Sequence, residues 1–174
     1  GVAIDGELLI DGETTLSLTD DTDLANFATG DAVYAAGAPP ASFAPVLYTG
    51  NDGTQDISCG FAPDLVWVKR RTNNGSHTLW DSVRGAYKHI QSDTTAAEVT
   101  EPANRSLVLT GDGFAIDTSG GDLTGEGNIN NSGDGYVSWC WSAGGGTTVT
   151  NNEGTVESQV RSNGDFSICT FPAP

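Results

Sequence analysis

Methionine is absent from this 174-residue chain, so a processed protein or a part of a longer one is expected. Bases are scarce. Seven Lys and Arg stand against 23 Asp and Glu, a formal net charge of −16. Nucleic acid and anionic membranes repel such a chain at long range, so neither is an expected partner. No apolar run approaches the ~20 residues that span a bilayer, so no membrane insertion is expected. The start, GVAIDGELLID, lacks the basic region and long apolar run of a secretory signal. The three cysteines, Cys59, Cys140 and Cys169, cannot all pair with one another, and their spacing fits no zinc motif. Cys140, between Trp139 and Trp141, reads as a small buried apolar residue.

Glycine is plentiful, at 23 residues, and is joined by many Thr, Asn, Asp and Ser. That mixture disfavours long helices and favours short strands joined by tight turns. ELLID and TTLSLTD read as two strands around DGE, followed by one helical turn at Asp23–Phe27. AAGAPPAS has the composition of a linker. Beyond it, SFAPVLYTG, DLVWVKR, HTLWDSV, RSLVLTGDGFAID, DGYVSWCWSAG, TVESQV and DFSICTF read as strands at roughly ten-residue spacing, the rhythm of a β-sandwich. In DLVWVKR, alternation puts Leu65, Trp67 and Lys69 on one face and Asp64, Val66, Val68 and Arg70 on the other. Phe43, Val46 and Tyr48 are echoed at the same offsets by Phe166, Cys169 and Phe171, 166 − 43 = 123 residues later. Either the first and last strands pair in one sheet, or a second copy of the module begins there.

Several residues offer chemistry. His77, Asp81 and Ser82 could be assembled into a Ser-His-Asp set, but alternation on one strand separates neighbours and no nucleophile elbow surrounds them. No enzyme is expected. Lys69, Arg70, Arg71, Arg84 and Lys88 gather five of the seven bases between residues 69 and 88. In so acidic a chain they are expected to pair with local acids or a neighbouring subunit; contact with an anionic sugar is the alternative. Asp81 and Arg84 either fix the turn before Gly85 or grip a ligand's hydroxyls or carboxylate. The long loop 117–135 bears Asp117, Asp122, Glu126, Asn128, Asn130 and Asp134, hard oxygen ligands that suit calcium without EF-hand spacing, or a solvated loop. A sugar site would combine Asn130 and Asn131 with a stacking aromatic, Trp80 or Tyr87. Trp67, Trp139 and Trp141 are the first choices for the core, although a regular strand turns at least one of Trp139 and Trp141 outward, where it could serve a sugar or a subunit contact.

In order along the chain, GFAPDLVWVKRR, SHTLWDSVRGAYKHIQSDTTAAE, TGDGFAID and NNSGDGYVSWCWSAGG resemble a module of virion proteins of tailed bacteriophages, familiar from marine phages and tail-fibre-like chains. The likeness covers roughly residues 46–145 and itself resembles concanavalin-type lectin sandwiches. TLSLTDDTDLANFATGDAV is similar to the β-rich connector that precedes such modules, and GTVESQVRSNGDFSICTF to the lead-in of a further copy; TFPAP departs from the aromatic–Thr–Gly–Asn turn expected there. The resemblance supplies no catalytic residues. It implies an all-β protein: a β-rich connector (1–37), a linker (38–45), a concanavalin-like or jelly-roll two-sheet sandwich (46–160) and a terminal strand (161–174). It implies a structural, non-enzymatic component on the virion surface, a tail-fibre or surface-appendage module, with a capsid-decorating protein and a receptor-binding lectin as competing readings. Expected partners are other virion subunits, in a homo-oligomer with a trimer as first choice, and a host-surface glycan. No cofactor is expected beyond the calcium considered for the 117–135 loop.

Overall fold

The computed structural model describes residues 42–123 and 127–172, together with three short strands near the start. Those strands, β1 (Ala3–Ile4), β2 (Glu7–Leu9) and β3 (Thr15–Ser17), form an antiparallel sheet in the order β1-β2-β3. They belong to a compact unit, Gly1–Pro40, distinct from Ala41–Pro174. The helical turn expected at 23–27 lies outside the described residues.

The regular elements described in the second unit are all strands. β4 (Phe43–Thr49), β12 (Gly135–Trp141), β6 (Leu65–Arg70), β7 (Thr78–Asp81), β8 (Lys88–Gln91) and β9 (Val99–Thr100) make a six-stranded sheet in that order. β10 (Ser106–Leu109), β11 (Gly113–Asp117) and β5 (Thr54–Ser58) make a second sheet, and β13 (Val149–Asn151), β14 (Ser158–Ser162) and β15 (Ser167–Thr170) a third. All strand pairings are antiparallel. The chain is all-β, and its two main sheets face each other as a sandwich.

Alternation builds the core. Along β12, Tyr136, Ser138 and Cys140 turn inward and are fully buried, while Val137, Trp139 and Trp141 turn outward and are half-buried. Val66 and Val68 of β6, Trp80 of β7 and His89 of β8 share the inner face. The opposing sheet contributes Leu107, Phe114 and Ile116, and the loops add Phe61, Leu123 and Ile129. Tyr48 of the edge strand stacks on Tyr136, with ring centres 5.1 Å apart, and its hydroxyl donates to the Ile129 carbonyl at 2.8 Å.

Three expectations change. Trp67, Trp139 and Trp141 are not core residues: they share the outer face of the six-stranded sheet, and the core tryptophan is Trp80. Strand β4 begins at Phe43, inside the expected linker, and residues 149–160 of the expected sandwich contribute to the third sheet. The last strand pairs with β14, at Val160↔Cys169 among other positions, and not with β4. What joins the echoing strands is one ring: Trp141 lies 5.1 Å from Phe43 and 5.9 Å from Phe166.

The division of faces predicts unequal mutational costs. Phe114→Ala removes a ring with no exposed surface and should lose roughly 3–5 kcal/mol of unfolding free energy. Leu47→Ser, on the open face, should change it by less than about 0.5 kcal/mol. Urea titrations giving similar losses for both would contradict the assignment of inner and outer faces.

Candidate functional site: the outer aromatic face and the cleft beside Trp80

The residues expected to meet a ligand are mostly occupied with holding the fold. Asp81 Oδ1 accepts from the Val83 and Arg84 amides at 3.0 and 2.8 Å, and its Oδ2 lies 2.5 Å from Arg84 Nη2. Arg84 also donates to the Leu79 carbonyl at 3.0 Å. The pair therefore fixes the β7–β8 turn, where Gly85 takes φ 94° and Tyr87, exposed, takes φ 66°. Trp80 is 2% exposed and packs against His89 with ring centres 4.7 Å apart, so it cannot be a surface stacking platform. It does wall a cleft of about 180 Å³, together with Asp81, Gly85, Ala86, Leu107 and Leu109, and its buried indole N–H has no hydrogen-bond partner among the described residues.

Asn130 is likewise structural. Buried at 1% exposure, its amide nitrogen donates to Asn51 Oδ1, the Gly53 carbonyl and Thr118 Oγ1 at 2.9–3.0 Å. Its Oδ1 accepts from the Asn51 amide at 3.1 Å and from Gln55. The loop backbone presses so close here that a Cβ on Gly50 would strike the Asn131 carbonyl oxygen. The Asn131 amide donates to Tyr136 Oη at 2.9 Å. This network tethers a long polar loop that lacks apolar residues over much of its length.

The acids of that loop are dispersed. Asp117 accepts from Ser119 Oγ and the Ser119 amide at 2.7 and 2.9 Å, bonds that hold its carboxyl below the usual range. Asp134 is held low by Thr72, at 2.8 Å, and by its ion pair with Arg70. Asp122 is exposed, and Glu126 lies outside the described residues. Among the described residues, no group of three or more His, Cys, Asp or Glu is placed to hold a metal ion. The catalytic set is not assembled either. Ser82 Oγ donates to Asp64 at 2.8 Å, Asp81 is committed to its turn, and His77 Nδ1 accepts from Trp67 Nε1 at 3.2 Å on the outer face.

The bases find acids within the chain. Besides Arg70–Asp134 and Arg84–Asp81, Lys88 pairs with Glu98 and Arg105 with Glu101, each at 3.2 Å, and Arg161 with Asp64 at 2.7 Å. Lys69 donates to the Gly75 carbonyl at 3.0 Å, and Arg71 is exposed.

What is left open is the outer face of the six-stranded sheet. Cross-strand register sets Trp139 beside Trp67 and Pro45, and Trp141 beside Leu65 and Phe43. The Trp67 and Trp139 rings are 5.4 Å apart, and His77 continues their row. At the β4 edge, Phe43 and Leu47 are 46% and 64% exposed. Residues 38–174 match the family described as a domain of unknown function, DUF7483.

The chain belongs to that family.

No curated protein and no solved structure matches it. Within it, the outer face was partly legible: the period of two in GYVSWCW puts both tryptophans opposite Cys140, and Cys140 is the residue that goes inside.

The residue missed altogether was Asp64. At 2% exposure, it accepts from Ser82 Oγ and Arg161 Nη1 through Oδ1, and from the Ala143 and Gly145 amides at 2.7 and 3.0 Å through Oδ2. Burial acts to raise its carboxyl, but these four bonds together outweigh burial and hold it below the usual range. A buried acid between Pro63 and an apolar strand was the available signal. His89, fully buried and 3.4 Å from Glu101, is shifted down by burial against the opposing pull of Glu101.

Both depressed groups give stability that is complete above their unfolded pKa and is lost as pH falls through the folded value. His89 contributes fully above about pH 6.5 and Asp64 above about pH 4. Denaturation midpoints followed from pH 7 to pH 2 should decline in two stages. His89→Gln should remove the first stage, and Asp64→Asn should flatten the second. A midpoint independent of pH between 7 and 5 in the parent protein would contradict the role given to His89.

Proposed function

We propose that this protein is a non-enzymatic structural module of a bacteriophage virion, part of a tail fibre or surface appendage, which joins other subunits through the outer face of its six-stranded sheet. The observation that carries this reading is the apolar face itself. A chain of net charge −16 has abundant acidic side chains with which to cover a sheet, yet Phe43, Leu47, Trp67, Trp139 and Trp141 stand together on this one. Exposed apolar patches of this kind mark interaction surfaces, and aromatics are favoured where subunits meet. The free edge of β4 adds backbone groups that a neighbouring strand could complete. Further support comes from the resemblance of the strand motifs to phage virion modules and concanavalin-like sandwiches. A homo-oligomer, with a trimer as first choice, is the expected assembly, and the virion surface the expected location.

Light scattering on the purified chain should give the mass of an oligomer. Phe43→Ser combined with Leu47→Asp should give a monomer with unchanged near-ultraviolet circular dichroism. A parent protein that stays monomeric at every concentration would remove this reading.

A second reading, a dedicated receptor-binding lectin, is favoured by the cleft beside Trp80, whose lining of Gly85, Ala86, Leu107 and Leu109 could take one face of a sugar. Ala86 lines this cleft and is exposed, so Ala86→Tyr would fill it without touching the core. On a glycan array, the lectin reading requires a saturable signal that Ala86→Tyr abolishes. A flat array for the parent protein would eliminate it.

A further inference from the structure

We infer that Asn74, in the turn between β6 and β7, is a site of spontaneous deamidation, and that the fold protects the chain's other Asn-Gly pair. Two asparagines in the sequence precede a glycine, Asn74 and Asn163. Deamidation joins two atoms: the backbone nitrogen of the following residue attacks the carbon of the side-chain amide. Glycine favours the attack because it has no side chain to shield that nitrogen. The structure separates the two pairs at both atoms. The Asn163 side-chain nitrogen donates to the Ser142 carbonyl at 2.9 Å, and its side-chain oxygen accepts from the Asp165 and Phe166 amides at 3.0 and 2.8 Å. The Gly164 amide donates to Ser162 Oγ at 3.1 Å. There the amide carbon is clamped and the attacking nitrogen is engaged. Asn74 differs on each count. It is exposed, and among the described residues neither its side chain nor the Gly75 amide forms a hydrogen bond.

The surroundings of the Asn74–Gly75 peptide unit also favour the reaction. Arg70 Nη1 donates to the Asn74 carbonyl oxygen at 3.4 Å, and Lys69 Nζ to the Gly75 carbonyl oxygen at 3.0 Å. The Asn74 oxygen belongs to the same peptide unit as the Gly75 N–H. When that N–H loses its proton, negative charge spreads onto this oxygen, where the guanidinium donor stabilises it. In the reaction, hydroxide takes the Gly75 amide proton and the nitrogen attacks Asn74 Cγ. The bond from Cγ to the side-chain nitrogen breaks, and that nitrogen takes a proton from water and leaves as ammonia. A cyclic imide remains. Water then adds to one of its two carbonyls and breaks that carbon's bond to the Gly75 nitrogen. Opening at Cγ gives aspartate, and opening at the main-chain carbonyl gives isoaspartate, whose backbone is one carbon longer. Overall, one water is consumed and one ammonia released, with no change of oxidation state. Either product places a new carboxylate in the turn that Lys69 and Arg70 hold. Isoaspartate also lengthens the connection between Trp67 and His77, which meet on the outer face at 3.2 Å.

The test uses the full chain, held at pH 8 in its native state and, in parallel, unfolded in urea. Peptides carrying Asn74 and Asn163 are then followed by mass and by an isoaspartate-specific methyltransferase. In the native protein the Asn74 peptide should gain about 1 Da and divide into aspartate and isoaspartate forms, while the Asn163 peptide stays unchanged. In urea the two peptides should convert at similar rates, because nothing then distinguishes them. Asn74→Gln should abolish the change in the native protein. Arg70→Gln should slow conversion at Asn74 severalfold, with an intact Asn163 in the same sample reporting that the fold is kept. Native protein in which Asn74 persists while the urea sample converts would overturn the inference. So would native conversion of Asn163 as fast as that of Asn74. A rate at Asn74 unaltered by Arg70→Gln would remove the part given to the guanidinium.

Discussion

One carboxylate ties the outlying parts of the sandwich unit to its centre. Asp64 stands at the entry to β6 and receives Ser82 from the end of β7, the Ala143 and Gly145 amides from the turn after β12, and Arg161 from β14. Its own amide donates to the Trp141 carbonyl at 2.7 Å, and its carbonyl accepts from Ser82 at 2.9 Å. A single buried negative charge is costly unless every lone pair is used, and here four donors use them. The third sheet would otherwise rest on little more than the stacking of Phe166 on Trp141 and a bond from Asn163 to the Ser142 carbonyl at 2.9 Å. Removing Asp64 would leave Arg161 half-buried without its ion-pair partner and the Ala143 and Gly145 amides without their acceptor.

The same economy explains the fate of the polar residues that first looked like a site. Asn130, Asp81 and Asp134 each satisfy backbone or side-chain groups in a stretch that lacks a regular ladder. The loop 117–135 is anchored in the core by Leu123 and Ile129, and elsewhere hydrogen bonds donated by Asn130 and accepted by Asp134 do much of the work of holding it. These side chains are committed to the fold. Among the described residues, what remains available includes the aromatic outer sheet and the small cleft walled by Trp80.

Much of the architecture was legible in the sequence because a strand's period of two is a local property. The faces of DLVWVKR were assigned from the sequence alone, and Val66 and Val68 are the buried pair. Two readings gave way. Trp67, Trp139 and Trp141 were placed in the core because small or apolar residues flank them, yet each alternates with a residue that is more deeply buried, and burial follows the face. The similarity between β4 and β15 left open a shared sheet or the start of a second copy; the shared sheet does not form, because likeness of side chains does not specify hydrogen-bonding partners. The turn between Ser162 and Ser167 is short enough to bring β15 back onto β14 first.

What the sequence by itself determined was the class of the protein: strands, their faces and turns, an acidic surface, and bases too few to do more than neutralise nearby acids. Only the tertiary structure decided which face of the six-stranded sheet is covered. Both faces are apolar in places, and which one closes depends on where β5, β10 and β11 pack. It also decided that Asp64 gathers donors from three distant segments and that Asn130 turns inward. Each of these pairings joins residues far apart in the chain, and sequence spacing carries no information about contacts that form only when separate sheets are brought together.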